Sequence, residues 1–133
     1  STLTMFKNIL QKSVHGVIVS GYTENTGGKQ LYQPMYRWLF FELEDGFAVF
    51  SSNDGDIEVE LADEITCLFD IEEGDIFTLM HITNEDLGVI HSVECQRDAL
   101  GNLIEVTICT HKKNITLNSL TLEGFEISIA KNY

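Results

Sequence analysis

Met35-Tyr36-Arg37-Trp38-Leu39-Phe40-Phe41-Glu42-Leu43-Glu44-Asp45-Gly46-Phe47-Ala48-Val49-Phe50-Ser51-Ser52 is a pair of apolar runs joined by an acidic turn. The pattern predicts a β-hairpin, because Asp45-Gly46 offers two residues tolerant of positive φ for a type I′ turn between strands rich in aromatic side chains. That turn sets Phe41 opposite Phe50 and Leu43 opposite Ala48 on one face, and leaves Tyr36, Trp38, Phe40, Phe47 and Val49 on the other. A strand pair that is apolar on both faces must be covered twice. The expectation is a sheet held between a helix and a second layer, with an exposed aromatic partner surface as the alternative.

Upstream, Leu3, Phe6, Ile9 and Leu10 recur at helical spacing and predict a short amphipathic helix over 3–13. After Gly16, the β-branched run Val17-Ile18-Val19 reads as a strand ending near Tyr22, and the polar stretch Thr23 to Gln33, with Gly27-Gly28, reads as a flexible loop. Downstream, Asn53-Asp54-Gly55-Asp56 marks a turn, after which Ile57, Val59 and Leu61 alternate with Glu58 and Glu60 as in a half-buried strand. Thr66 to Asp70 and Ile76 to Ile82 are further candidate strands, with a helical turn over 62–68 as the alternative. Gly88 to Gln96 and Leu103 to Thr110 flank a loop containing Asp98 and Gly101-Asn102, and Ile115 to Leu122 and Phe125 to Ala130 close the chain. A length of 133 residues with 44% hydrophobic content suits one core, hence a single domain over residues 1–133. The expected fold class is α+β: a β-rich single domain of antiparallel hairpins and meander with a short N-terminal helix.

Charge is distributed as unevenly as the apolar residues are regular. The net charge is -13, and the segment between Arg37 and Arg97 contains none of the 8 lysines and arginines but most of the 21 carboxylates. Those carboxylates are interleaved with apolar residues, so the segment reads as folded acidic surface and not as a disordered tail. Such a surface repels phosphate backbones and anionic headgroups, which argues against nucleic-acid and membrane partners, while its field speeds encounter with a basic protein. The bland reading is that the acidity serves solubility alone. No apolar run nears the roughly 20 residues that span a bilayer, and the N-terminal residues lack the order of a signal peptide, so a cytoplasmic protein is expected.

The sequence contains no nucleophile elbow, P-loop, dinucleotide fingerprint or zinc-protease motif. Asp54, Asp56, Glu58 and Glu60 have the alternating oxygens of a calcium loop. Counting from Asp54, however, places Val59 where an EF-hand needs glycine and Ile65 where it needs glutamate. His15, His81, His91 and His111 have no metal-ligand spacing, and Cys67, Cys95 and Cys109 form no close pair, so they read as reduced core thiols. Asp45, Asp70, Glu73 and Asp75 are the candidates for the acid and base groups of glycoside chemistry, but carboxylates this dense fall close together by chance. The expectation is no enzyme, no cofactor and no metal.

The residues expected to meet a cationic partner are Asp54, Asp56, Glu58, Glu60, Asp63, Glu64, Glu72, Glu73 and Asp75, with Tyr36 and Trp38 as aromatic anchors. The layout is a short leading helix, a glycine-marked first strand, the aromatic strand Tyr36-Arg37-Trp38-Leu39-Phe40-Phe41-Glu42, an acidic strand and a closing meander. It resembles the small acidic immunity proteins of bacterial toxin systems, including contact-dependent growth inhibition. The resemblance is one of layout and charge and assigns no role to any residue. It implies a cytoplasmic protein that binds a cognate toxin domain, often a basic nuclease, and blocks its active site or substrate surface. Two other readings compete: a nucleic-acid mimic that inhibits a DNA-binding protein, which needs a long double row of carboxylates, and a small ligand-binding domain with an apolar pocket among Phe40, Phe47, Phe50 and Phe69.

Overall fold

The computed structural model describes residues 2–132, with side chains from Thr4 onward. A five-residue helix α1 (Thr2–Phe6) and a 3-10 turn (Lys7–Ile9) precede ten strands. These are β1 (Ser13–Val14), β2 (Gly16–Thr26), β3 (Lys29–Leu43), β4 (Gly46–Asn53), β5 (Asp56–Ala62), β6 (Ile76–Thr83), β7 (Gly88–Arg97), β8 (Leu103–Thr110), β9 (Lys113–Thr121) and β10 (Gly124–Lys131). They form two five-stranded sheets of order β5-β4-β3-β2-β6 and β1-β7-β8-β9-β10. All pairings are antiparallel. The β-rich antiparallel character is as expected; the helix is too small to form a layer, and a second sheet covers the first instead.

The decisive hairpin forms with a shifted register. Leu43 pairs with Gly46, Phe41 with Ala48 and Leu39 with Phe50, so the loop residues are Glu44 and Asp45 and not Asp45-Gly46. The reason lies in the backbone: Gly46 alone takes positive φ, at 138°, and a type I′ turn would have needed Asp45 to do so as well. Each residue's partner moves by two positions, and since side chains alternate with period two, every residue keeps its face. Leu39, Phe41, Leu43, Ala48 and Phe50 therefore point inward as expected. The Phe41 and Phe50 rings, diagonal instead of opposite, lie 4.7 Å apart.

One core joins both sheets. Val17, Val19, Leu39, Phe41 and Phe50 from the first sheet meet Ile90, Val106, Ile108, Ile115 and Leu117 from the second, and Phe6 and Ile9 close one end. The helix expected over 3–13 stops early. Leu10 is extended, Gln11 has φ 68°, and the Gln11 N–H donates to Ile90 O while Ile90 N–H donates to Lys12 O, so the second sheet captures the chain before another helical turn can form. Of the apolar stripe predicted for that helix, Phe6 and Ile9 are buried and the Leu3 side chain lies outside the described residues.

Two other expectations are corrected. Thr23 to Gln33 is not a flexible loop: β2 and β3 run on as a long ribbon to Thr26 and Lys29, turned by Gly27 and Gly28 at φ 60° and 78°. The ribbon is polar because it projects past the core, and the glycine pair supplies the two positive φ angles of a tight turn. Thr66 to Asp70 is not a strand, because this stretch leaves the β5 edge and crosses over the sheet to β6, where no neighbouring strand runs alongside it.

Candidate functional site

The outer faces of the two sheets differ in chemistry. On the second sheet, that face carries Glu105, Thr107, Thr116 and Asn118, linked by Thr107–Thr116 and Asn118–Glu105 side-chain hydrogen bonds. On the first, register places Trp38, Ser51 and Glu58 in one row and Phe40, Val49 and Glu60 in the next. An aromatic outer face needs a cover. The connection from Asp63 to Asp75 provides it, with Phe69 as its plug: the Phe69 ring centroid is 5.7 Å from Trp38, 5.9 Å from Phe77 and 6.3 Å from Tyr22. Those residues belong to β3, β6 and β2, so the one ring spans three adjacent strands in the middle of the crossing. Phe69 is half-buried and is the only aromatic residue between Asp63 and Asp75, and that isolation is the sequence signal for its role.

Phe69 thereby carries the acidic loop across the sheet. Asp63, Glu64, Glu72 and Glu73 are exposed on the crossing, Asp75 is half-buried at its end, and Glu58 and Glu60 are exposed on the adjoining β5. Leu68 and Ile71 are exposed on the same loop, whereas Leu61, across from the core residue Ala48, is exposed on the other face of β5. Among the described residues, no lysine, arginine or histidine stands within ion-pair distance of any of these seven carboxylates; the ion pairs are Lys12–Asp45 and Lys112–Asp86, and His81 Nε2 lies 3.7 Å from Glu42. The Lys12 hydrogen bond holds the Asp45 carboxyl below the usual carboxylate range, and the Gly88 N–H together with Lys112 does the same for Asp86. These satisfied carboxylates lie outside the crossing loop.

Asp54 and Asp56 belong to a different environment. Asp54 sits in the β4–β5 turn with φ 50°, and Asp56 accepts a hydrogen bond from Leu103 N–H at 2.8 Å, tying that turn to the second sheet. Ser119 Oγ donates to Gly55 O at 2.6 Å beside it. The two aspartates thus stand apart from the crossing loop. Asp54 lines a groove of about 990 Å³ at the end of the sandwich, which also includes Tyr36, Arg37, Asp98, Ser119 and Leu122. Tyr36 packs against the core margin there, and Trp38 is half-buried under Phe69 with the Arg37 guanidinium 5.4 Å from its ring centre. Tyr36 therefore lies apart from the loop carboxylates, whereas Trp38 lies beneath the loop, half-buried, in the row of Glu58.

The remaining chemistry-bearing residues are dispersed. All three cysteines are free, but only Cys109 is buried; Cys95 is half-buried, and its thiol is pushed up by burial, while Cys67 is exposed on the crossing loop, contrary to the expected core location. Phe40 and Phe47 lie on the opposite face of the sheet from Phe50, so the four phenylalanines do not gather around one pocket. Among the described residues, no three histidine, cysteine, aspartate or glutamate side chains converge as a metal site, and no helix is long and apolar enough to cross a membrane. No protein-family model, curated protein or solved structure matches the chain.

The loop's placement has a direct test. Phe69→Ala is expected to lower stability by about 1–3 kcal/mol, the scale for removing a partly buried aromatic side chain and its ring contacts. Its larger effect should be local, with the amide and side-chain resonances of 63–75 and the rings of Tyr22, Trp38 and Phe77 shifting while β8 keeps its shifts. Unchanged loop resonances would show that other contacts position it.

Proposed function

We propose that this chain is an immunity-type inhibitor that acts in the cytoplasm by binding a basic toxin domain, a nuclease, through its acidic face. The observation that carries the reading is the run of carboxylates on β5 and the crossing loop that have no lysine, arginine or histidine partner among the described residues, held on a folded sheet with Leu68 and Ile71 exposed on the same loop. A nuclease presents lysines and arginines to phosphate, and carboxylates fixed on a rigid surface meet that array without first being ordered. Interspersed leucine and isoleucine side chains supply the apolar contact that charge alone does not. Steering by the acidic field and retention by apolar contacts are separable, the first appearing in the association rate and the second in dissociation. Nucleic-acid mimicry is less well supported, because Glu58 and Glu60 make one short row on β5 and the other carboxylates follow an irregular loop.

The test begins with affinity capture from the source cell at low salt, elution by a salt gradient and identification of the eluted protein. A single basic toxin domain in stoichiometric complex is the expected result; recovery of acidic or neutral proteins only would sink the proposal. With the partner in hand, the double charge reversal Glu58→Lys with Glu60→Lys should slow association by about tenfold or more at low salt and flatten its dependence on ionic strength. An association rate equal to the parent protein's would remove β5 from the interface.

A further inference from the structure

We propose that the free edge of β6 accepts an extended, basic polypeptide segment as an additional strand of the first sheet. The inference rests on the proposed basic partner and specifies how part of that partner docks. β6 pairs only with β2 and ends its sheet, leaving one row of main-chain donors and acceptors without a neighbouring strand. Its pairing is regular from Ile76 to His81, and the one irregularity, an extra residue at Ile82, falls beyond that stretch. Edge strands are ordinarily guarded by lysine, proline, inward-pointing charge or very short length. β5 carries Glu58 and Glu60, β10 carries Glu126 and Lys131, and β1 is two residues long. Ile76 to Thr83 has no lysine, arginine, proline, aspartate or glutamate.

Instead of guards, the strand displays apolar side chains. Ile76, Leu79 and Met80 are 59%, 44% and 39% exposed. Met80 stands across from Val19, which faces the core, whereas Leu79 stands across from Ser20 and points to the other face. An added strand projects alternate side chains to the two faces and so finds an apolar neighbour on each. Main-chain pairing would supply affinity and these flanking residues selectivity.

Charge decides which occupant fits. Glu72, Glu73 and Asp75 lead into β6 and Glu85 follows it; no lysine or arginine lies on the strand or on the connection before it, and His81 near the end of the strand stands 3.7 Å from Glu42. A second copy of this chain would bring the same acidic flanks and a net charge of -13 to the same edge, which opposes pairing. A segment alternating basic and apolar residues places its cations beside those carboxylates.

The probe is a capped octapeptide of alternating lysine and valine, titrated at low salt into the full chain labelled for amide NMR and followed in parallel by fluorescence anisotropy. Shifts concentrated in residues 76–83 and their β2 partners are expected. The same peptide methylated at every backbone nitrogen, with its charge intact, should bind at least about tenfold more weakly, because it cannot complete a ladder. Equal binding of the two peptides, or shifts confined to 58–75, overturns strand docking while leaving the acidic-face proposal standing, since that proposal is judged on the captured partner and the Glu58/Glu60 reversal. No binding by either peptide also overturns it. A concentration-dependent dimer in sedimentation, with β6 amides shifting on dilution, would make a second copy the occupant and refute the basic segment.

Discussion

Phe50→Ala is expected to reduce the unfolding free energy by about 3–5 kcal/mol, a large share of the roughly 5–15 kcal/mol that holds a typical domain together. Phe50 has no exposed surface, its ring lies 4.7 Å from Phe41 and 6.4 Å from Phe6, and it sits where β4 faces the second sheet. Truncation removes the transfer energy of the ring and leaves a cavity that neither sheet closes easily, because both are fixed by their ladders. Phe50→Leu, which keeps most of the volume, should cost only about a third as much. Urea denaturation decides the matter: a lowered midpoint with an unchanged slope is expected. A loss below about 1 kcal/mol would mean that the two sheets do not share this core.

Gly124→Ala should cost a comparable amount although it adds one methyl group. A β-carbon at Gly124 would lie 2.4 Å from Tyr36 C, 2.5 Å from Tyr36 O and 2.6 Å from Arg37 N. All three are backbone atoms of β3, so no side chain can rotate out of the way and β10 itself must move. The residue also has φ 120°, where an L side chain is strained. Strain and overpacking together predict a loss of about 2–5 kcal/mol. Gly27→Ala is the matched control: with φ 60° and nothing within 4 Å, it meets only the conformational term, about 1–2 kcal/mol. Thermal unfolding of the two variants should separate them clearly, and equal losses would remove the close approach of β10 to β3 as the cause.

Much of the strand content could be read directly, and the errors have local physical causes. β8 was legible to the residue because Leu103 to Thr110 is apolar and β-branched and ends at defined turns. The β2–β3 ribbon was hidden because its strands are polar where they leave the core, and hydrophobic alternation is the signal by which a strand is recognised. The hairpin register slipped because Asp45-Gly46 resembles a type I′ turn, yet the faces survived, since pairing moved by two positions. Within the candidate site, Glu58, Glu60 and the loop carboxylates were visible as a run without cations. That Asp56 spends its carboxylate on Leu103 N–H was not, because the two residues lie far apart in the chain.

Composition and short-range pattern determined that this protein is β-rich, that Phe41 and Phe50 share an inward face, and that acidic charge concentrates between Arg37 and Arg97. These follow from side-chain alternation and from charge, which are properties of neighbouring residues. The tertiary structure alone decided that a second sheet and not a helix buries that face, that Phe69 carries the acidic loop over Trp38, and that β6 ends its sheet with Leu79 and Met80 exposed. Each of those depends on which distant strands meet, and pairing between distant strands is settled by the packing of the whole core, which no local window of sequence contains.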